Sequence, residues 1–323
     1  MIRYLVKRVL LIFLIVLCVT FILFVLMYSL AASRIRLMPT YGGGDTLDAI
    51  LGFINAGDNI VTKYVRYCYN LLFHLDFGRA SSTGYYVTAE LGVRTGTTLI
   101  LLACSAAATF VIGIPAGIYA AMRKDGLWDR VINVTSLLLA SIPNYSLALI
   151  IALVFVLYLG ILPMSSMLLT PASFIMPTLV IALGGISSIA RMTRSSMVDV
   201  LEQPYITALR SKGLKERRVI FRHALKNALV PVISVLGGFI SQLLCGAFVA
   251  EHFFNLRGLG SYMLRSAGMR DHYEILGCTV IMTVILAALN IAADVLYAVV
   301  NPQIRRRYAK ATGSVQGKGW SLR

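Results

Sequence analysis

The side chains that usually carry out chemistry are few in this sequence of 323 residues, and their spacing does not assemble a catalytic centre. No His/Glu pair with the spacing of a metal site, and no Ser/His/Asp grouping, occurs within an apolar run. The five cysteines have no CxxC or Cys/His spacing, so we expect small buried apolar residues and neither a metal nor another cofactor. We interpret the four histidines as exposed polar residues: His74, His223, His252 and His272.

The sequence also lacks the motif of a nucleotide-binding site. It contains no Gly-x-x-x-x-Gly-Lys-Ser/Thr loop that could hold phosphate groups. A carrier coupled to protons or sodium needs ionisable groups within the membrane, and Asp294 is the one carboxylate well inside an apolar run. Asp294 is then either an ion-coupling group or a residue paired locally. We expect no enzymatic activity from this chain.

The elements that must position any functional residue are long apolar runs. Hydrophobic residues make up 58% of the chain and charged residues 14%, with a mean hydropathy of +0.78. A membrane-spanning helix takes about 20 apolar residues, and no run alternates as the strands of a membrane barrel do. The sequence therefore predicts an all-α integral membrane protein with six transmembrane helices. The runs are 9–31, 97–121, 131–160, 172–190, 228–250 and 275–300, of which 131–160 is either strongly tilted or broken near Pro143.

The distribution of charge gives the orientation. The net charge is +16. Twenty-one of the thirty Lys and Arg fall either before the first run or directly after the second, fourth and sixth runs. Because cytoplasmic loops of membrane proteins are enriched in these residues, both termini are predicted to be cytoplasmic, in a plasma (inner) membrane protein. The positive charge therefore reflects topology and contact with membrane lipid, and we expect no nucleic acid partner.

The runs divide the chain into four parts. Residues 1–31 are predicted to be an N-terminal transmembrane helix, because the run exceeds the roughly 7 to 15 apolar residues of a signal peptide. Residues 32–96 form an extracytoplasmic segment, 97–302 a five-helix core and 303–323 a basic cytoplasmic tail. The extracytoplasmic segment has a flexible turn at 42–44 and an aromatic patch that either anchors it at the interface or binds a partner: Tyr64, Tyr67, Tyr69, Leu71, Leu72 and Phe73.

The cytoplasmic segment 192–227 has the most distinctive pattern. Pro204 is suited to the first turn of a helix and Gly213 to the left-handed position just beyond its end. A second helix is predicted to follow, with an apolar stripe of Leu214, Phe221, Leu225 and Ala228 and a basic face. On pattern alone, this segment is either a peripheral anchor to anionic lipid or a docking element for a protein.

The residues of this segment resemble those of a known family. The strings YITALRSKGL at 205–214 and RHALKNALVP at 222–231 resemble the cytoplasmic coupling motif of ABC importer permeases of the dipeptide/oligopeptide B-type. Further similar pieces occur in the same order: 76–79, 114–117, 141–143, 159–163, Glu251, Phe254, 258–260, 270–271, Asp294, Tyr297 and Pro302.

Several positions depart from the family pattern. Arg257 replaces the usual proline before Gly-Leu-Gly, Ala80 replaces serine, and Asn301 and Gln303 replace the usual residues around Pro302. The Pro-Gly-Asp-Pro segment typical after the first helix is absent from the sequence. Most of these differences lie on the outer side, so they bear on the subfamily and its cargo.

The resemblance implies a type I ABC importer permease fold and a set of partners. These are a second homologous permease subunit, two cytoplasmic ABC ATPase subunits and an extracytoplasmic solute-binding protein. The cargo it implies is a peptide, although related permeases carry nickel complexes, glutathione or oligosaccharides. The residues expected to couple to the ATPase are Tyr205, Ala208, Arg210, Gly213, Leu214, Arg217, Arg218, Phe221, Arg222 and His223.

A transport role also predicts a polar path between helices. The candidates are small and polar residues of the third, fourth and fifth runs: Asn144, Ser187, Ser188, Ser234, Ser241 and Gln242. Small residues in membrane helices also permit close packing, which is the interpretation that we favour for Gly237 and Gly238. The alternative to an ATP-driven permease is an ion-coupled secondary transporter acting without an ATPase.

Overall fold

The computed structural model describes residues 2–35, 59–80, 83–162 and 170–300. The chain is built from α-helices, which confirms the predicted fold class. In chain order they are α1 (Ile2–Ile35), α2 (Ile60–His74), α3 (Val87–Met122), α4 (Leu127–Ser141), α5 (Asn144–Ala152), α6 (Ile175–Leu201), α7 (Pro204–Ser211), α8 (Glu216–Arg218), α9 (Leu225–Ser234), α10 (Leu236–Phe253), α11 (Leu259–Met269) and α12 (His272–Val300).

The number of spans agrees with six predicted runs. Within the described ranges, five helices are long and apolar enough to cross a membrane: Arg8–Ser29, Val87–Met122, Pro171–Leu201, Leu236–Phe253 and His272–Tyr297. The pair Leu127–Ser141 and Asn144–Tyr158 makes a sixth span if it is counted once, and its two parts are bent by 104°. The third run is therefore broken rather than merely tilted.

The bend has a local cause at Pro143. Ile142 and Pro143 both have extended backbone ψ angles, of 124° and 143°. Proline has no N–H to continue the hydrogen bonds of α4, and its ring disfavours helix in the preceding residue. A new helix starts at once, because the Leu147 N–H donates to the Pro143 carbonyl over 2.9 Å.

Two other runs differ in their ends from the predicted ones. The fourth helix continues through the first ten residues of the predicted cytoplasmic segment, to Leu201. The fifth run is divided at Val235 into α9 and α10, downstream of Pro231 and beside Gly237 and Gly238. Proline and glycine both weaken a helix interior, which explains this position for the break.

Helix α6 lies at the centre of the bundle and contacts α3, α4, α5, α9 and α10. The main core lies between α3, α6, α10, α11 and α12, and includes Leu101, Ile189, Phe239, Leu259 and Tyr262. A second apolar cluster lies at the inner ends of α3 and α6. The fold therefore joins the inner end of the bundle to its centre through two adjacent helices.

The described part of the extracytoplasmic segment packs onto the bundle. Tyr64 and Tyr67 of α2 are buried against Phe24 of α1 and Leu276 of α12, and the Tyr64 hydroxyl donates to the Leu17 carbonyl over 2.7 Å. The other face of α2 is exposed at Tyr69, Leu72 and Phe73. The predicted aromatic patch is thus divided between an intramolecular contact and a free face, and the predicted turn at 42–44 lies outside the described residues.

The residues considered for chemistry occupy varied environments. Asp294 forms an ion pair with Arg8 of α1, in agreement with a paired structural role. Cys278 is buried as expected, but Cys18, Cys104 and Cys245 are exposed on helix faces, where a sulfhydryl needs no polar partner in lipid. His272 is buried at the start of α12, contrary to the expectation of an exposed histidine.

Candidate functional site

The predicted coupling segment, residues 205–223, begins on a short, well-defined helix. Pro204 occupies the first turn of α7, after Gln203 in an extended conformation. At the other end, the Gly213 N–H donates to the Arg210 carbonyl and the Leu214 N–H to the Leu209 carbonyl, over 2.9 and 3.4 Å. This is the Schellman pattern, and Gly213 has the positive φ of 78° that it requires. The predicted ends of the helix are confirmed.

One face of α7 is buried in the apolar cluster at the inner ends of two membrane helices. Ile206 is fully buried, and Leu209 and Leu214 pack beside it. The surrounding cluster includes residues of the returning chain, by which we mean residues 215–228 that lead back to the membrane. Its members are Ile118 and Ala121 of α3, Met197 and Val198 of α6, and Val219, Ile220, Ala224 and Ala228 of the returning chain. Burial of a side chain the size of isoleucine contributes about 1.5–3 kcal/mol. Helix α7 is therefore connected to the inner ends of α3 and α6 through this cluster, in which residues 219–224 contact α7.

Polar contacts fix α7 to the chain that follows it. Arg210 donates two hydrogen bonds to the Glu216 carboxylate, over 3.1 and 2.7 Å. The Arg210 guanidinium lowers the pKa of the Glu216 carboxyl below its ordinary value. The Asn227 amide donates to the Tyr205 hydroxyl over 2.9 Å. Arg210, a predicted coupling residue, therefore also makes a contact within the chain while its side chain stays 44% exposed.

The returning chain differs from the predicted amphipathic helix. Residues Val219–Ala224 form a π-helical turn, in which hydrogen bonds run from i to i+5. The wider turn places Val219 and Ile220 in the core and leaves Phe221 54% exposed. Phe221 therefore does not belong to the buried stripe, where a regular helix of 3.6 residues per turn would have placed it.

The other face of the segment is open. Exposed side chains predicted to couple to an ATPase are Tyr205, Ala208, Arg217, Arg218, Phe221 and Arg222, and His223 is half-buried. Gly213 is also exposed, and a Cβ atom there would meet nothing within 4 Å. Glycine is thus required at 213 by the backbone conformation and not by close packing within the chain.

Behind the coupling segment, α3 and α6 pack through glycines. A Cβ atom on Gly117 would lie 2.5 Å from the Ala190 carbonyl oxygen, and one on Gly113 would lie 3.2 Å from Ile189. Small residues four apart allow two helix backbones to approach closely in lipid. Gly117 belongs to the 114–117 motif, whose packing role the sequence alone did not show.

Ion pairs connect the inner ends of the same helices. Arg194 of α6 donates to both oxygens of Asp129 in α4, over 3.0 and 2.6 Å, and Asp129 is buried. Lys124 contacts Glu202 at 2.5 Å between the two exposed loops that follow α3 and α6. Sequence reasoning used these residues only to assign topology. Their pairing makes α3, α4 and α6 a connected unit at the inner surface.

The predicted path residues fall into two groups. The Asn144 amide lies between α6 and α10. A Cβ atom on Gly184 of α6 would lie 3.9 Å from the amide oxygen, and one on Gly246 of α10 would lie 3.4 Å from the amide nitrogen. Ser188 follows Gly184 by one turn and Gln242 precedes Gly246 by one turn, and both are exposed. Residues four apart share a helix face, so Ser188 and Gln242 lie on the two faces that meet Asn144.

The remaining path candidates have local partners. Ser187 is buried and donates to the Leu183 carbonyl over 2.8 Å. Ser234 donates to Pro231 and Ser241 to Gly237, over 2.6 and 3.2 Å. Of the two glycines expected to pack, Gly237 lies against Asn290, whereas a Cβ on Gly238 would meet nothing within 4 Å. The assignment of all six residues to a path stays a prediction.

At the outer end, Glu251 organises the 258–260 motif. Its carboxylate accepts the Thr98 hydroxyl over 2.7 Å and the N–H groups of Gly260 and Ser261, over 2.7 and 3.3 Å, at the start of α11. A negative group is favoured at a helix N-terminus. A Cβ on Gly258 would lie 2.2 Å from the Glu251 carboxyl carbon, so glycine makes room for this contact.

None of the described residues forms a group of three or more His, Cys, Asp or Glu that could hold a metal ion. The arrangement consists instead of an exposed inner segment, the helices packed behind it, and a polar strip between α6 and α10. The strip is formed by Asn144, Ser188 and Gln242. Such a site can transmit a displacement and expose a polar route.

Comparison with known proteins agrees with this organisation. Residues 113–306 match the family described as "Binding-protein-dependent transport system inner membrane component". The chain is 32% identical to the dipeptide transport system permease protein DppB of Bacillus subtilis, over 94% of this chain and 98% of the relative. It is 34% identical to the oligopeptide transport system permease protein AppB of the same organism, over 94% and 99% of the two chains.

A solved structure shares the fold. A chain of the inward-facing MetNI methionine ABC transporter matches with a TM-score of 0.55 and 19% identity, covering 65% of this chain and 96% of that one. The predicted type I ABC importer permease fold is thereby confirmed. Because the family match covers more than half of the sequence and full-length relatives are over 30% identical, this chain belongs to the family of binding-protein-dependent transport system inner membrane components.

Proposed function

We propose that this chain is a transmembrane permease subunit of an ATP-driven ABC importer and forms the translocation path for peptides or a related small solute. Peptide cargo is supported by the names of its relatives, which are dipeptide and oligopeptide permeases. An extracytoplasmic solute-binding protein delivers the cargo, and a second homologous permease subunit completes the path. ATP is hydrolysed by two cytoplasmic ABC ATPase subunits.

The observation that carries the proposal is the division of α7 into two faces. Its apolar face, centred on Ile206, is covered within the chain by the cluster that joins residues 219–224 to the inner ends of α3 and α6. A peripheral lipid anchor would need that face free to enter the membrane. What α7 and the returning chain expose is Ala208, arginines and Phe221, which suit a protein groove with an acidic rim.

The same contacts give a route for mechanical coupling. When the ATPase subunits close around ATP, they move the docked segment, and Ile206 transfers the displacement to the inner ends of α3 and α6. The glycine packing at Gly117 and the Asp129–Arg194 pair make these helices move together. Packed interfaces have discrete arrangements, so a small displacement becomes a change of helix tilt.

The polar strip formed by Asn144, Ser188 and Gln242 is the part of the proposed path that the contacts support best. It starts where the chain bends at Pro143, so tilting of α6 changes its distance from α5 and α10. Polar side chains on those faces offer hydrogen bonds to a peptide backbone that has lost its water.

An ion-coupled carrier is disfavoured by the family and by Asp294. A coupling carboxylate must gain and lose a cation during each cycle, whereas Asp294 is paired with Arg8. The importer is therefore the function that the site supports best.

Reconstitution tests the proposal. The chain is assembled with its partner permease and ATPase subunits in proteoliposomes. The binding protein and a labelled peptide are supplied on the side of the membrane that corresponds to the cell exterior. We expect peptide transport that requires ATP, the binding protein and an intact ATPase P-loop lysine. Peptide accumulation by this chain alone, driven by an ion gradient, would contradict the proposal.

A further inference from the structure

The connection between α10 and α12 separates its charges by depth. The acids that begin and end it are buried: Glu251, Asp271 and Glu274 are 0%, 1% and 2% exposed. The arginines between them, Arg257, Arg265 and Arg270, are all exposed. The formal charge of this stretch is balanced, but its exposed charge is entirely positive.

The buried acids are used to fix α11. Glu251 accepts hydrogen bonds at the N-terminus of the helix, as described above. Near its other end, Ser266 donates to the Glu274 carboxylate, and Asp271 accepts the Glu274 N–H over 3.3 Å. Tyr262 is 1% exposed and anchors the helix in the core. The exposed face of α11 is therefore presented on a rigid element.

The exposed arginines are not neutralised by acids of the described part of the chain. None of the three forms an ion pair with any residue that the structure describes, and Glu90, an exposed acid at the start of α3, is paired with Arg94 at 2.7 Å. The Arg94 and Arg265 guanidinium groups both lie over the Tyr262 ring, 4.1 and 5.2 Å from its centre. Arg265 is thus held in place while its charge stays available.

Arg270 adds a second, independent observation. Its φ of 59° is left-handed, and with Asp271 it closes α11 in the Schellman pattern that glycine usually completes. A residue with a Cβ is strained in this conformation. Backbone geometry alone would favour glycine at this position, and the arginine found there has an exposed side chain.

The neighbouring side chains indicate the kind of partner. A segment resting on lipid headgroups would turn aromatic residues outward, but Phe254 and Tyr262, the aromatic residues of 254–271, are both buried. Met269 is 58% exposed beside Arg270. Arginine and methionine are enriched in protein–protein interfaces, and the arginine guanidinium pairs with carboxylates.

We propose that Arg257, Arg265 and Arg270 form a docking patch for an acidic surface of the solute-binding protein. The proposal rests on the proposed function, since the positive-inside assignment places this connection on the extracytoplasmic side. Because α11 is rigid before contact, the patch requires little ordering when the partner arrives. Charge attraction of this kind chiefly raises the association rate and makes it depend on salt.

The test measures binding of the purified solute-binding protein of the same transport system to the complete transporter in phosphatidylcholine nanodiscs, at about 50 and about 500 mM salt. The triple variant Arg257→Ala, Arg265→Ala, Arg270→Ala is expected to associate about tenfold more slowly at low salt and to lose most of the salt dependence. The matched lysine variants keep the charge and are expected to associate at close to the wild-type rate. Arg130→Ala removes an exposed charge on the inner side and serves as the control.

Arg270→Gly separates docking from folding. This variant relieves the left-handed strain, so its thermal stability is expected to equal or exceed that of the wild type while its association slows. The docking patch is overturned if the triple variant keeps the wild-type association rate and salt dependence. It is also overturned if the triple variant associates more slowly only in nanodiscs that contain anionic phosphatidylglycerol. Failure of the wild-type transporter to bind the solute-binding protein would instead contradict the proposed function.

Discussion

Gly117 of α3 packs directly against the Ala190 carbonyl oxygen of α6, with only 2.5 Å available for a Cβ atom. The helices must separate if any larger residue replaces this glycine. We therefore expect Gly117→Ala to destabilise the folded protein by about 1–3 kcal/mol, the usual cost of overpacking. Thermal unfolding of the purified transporter measures the change.

Gly92→Ala provides a control in the same helix, because a Cβ atom there would meet nothing within 4 Å. Alanine favours helix over glycine, so this variant is expected to be as stable as the wild type or slightly more stable. Equal effects at positions 92 and 117 would show that helix propensity, and not packing of α3 on α6, governs both.

Gly258 predicts a similar contrast at the outer end. Gly258→Ala is expected to displace the Glu251 carboxylate from the N-terminus of α11 and to cost about 1–3 kcal/mol, because buried hydrogen bonds are lost. Gly268→Ala, within α11, has open space around it and is the matched control. If Gly258→Ala melts at the wild-type temperature, Glu251 does not fix α11.

These motifs show how far the sequence could be interpreted. The 114–117 and 258–260 motifs were identified by resemblance, but the reasons for their glycines depend on backbones far apart in sequence. Helix ends were accessible because Pro204 and Gly213 act locally. The sequence also offered a break near Pro143, which has a local cause, as one of two alternatives, although not its angle of 104°.

The Arg210–Glu216 pair predicts a pH dependence. Arg210 lowers the pKa of Glu216, so the pair stabilises the fold fully above the ordinary glutamate pKa of 4.5 and progressively less as pH falls through the lowered value. Both side chains are about half exposed, at 44% and 52%, so solvent screening limits the contribution to about 0.5 kcal/mol. Unfolding of wild type and Glu216→Gln should differ at pH 7 and converge as pH falls through the lowered pKa of Glu216, which lies below 4.5. A difference that persists at low pH would rule out the ion pair as its source.

Cysteine labelling tests the polar strip. In a background without the five native cysteines, Ser188→Cys and Gln242→Cys are expected to react with a water-soluble thiol reagent at rates that change with the nucleotide state. Ser187→Cys is the neighbouring control and is expected to be protected, because Ser187 is buried. Lack of reaction at both 188 and 242 in every nucleotide state would exclude them from an aqueous path.

Other features were beyond sequence reasoning because they arise from tertiary structure. The π-helical turn at Val219–Ala224 shifts the buried face, so a period of 3.6 residues misplaced Phe221. The inward packing of Tyr64 depends on α1, some forty residues earlier in the chain. Asp129 and Arg194 were counted as surface charges, since nothing local shows that they form a pair.

The most direct test of the central claim is whether the exposed face of α7 contacts an ATPase. A photo-reactive cross-linker is attached to a single cysteine at Ala208→Cys in the assembled transporter, with Arg130→Cys, also exposed on the inner side, as the control. We predict that position 208 cross-links to the ATPase subunit with a yield that changes when ATP is bound, and that position 130 gives little product. Cross-linking of position 208 to lipid alone, with no ATPase product in any nucleotide state, would contradict the account.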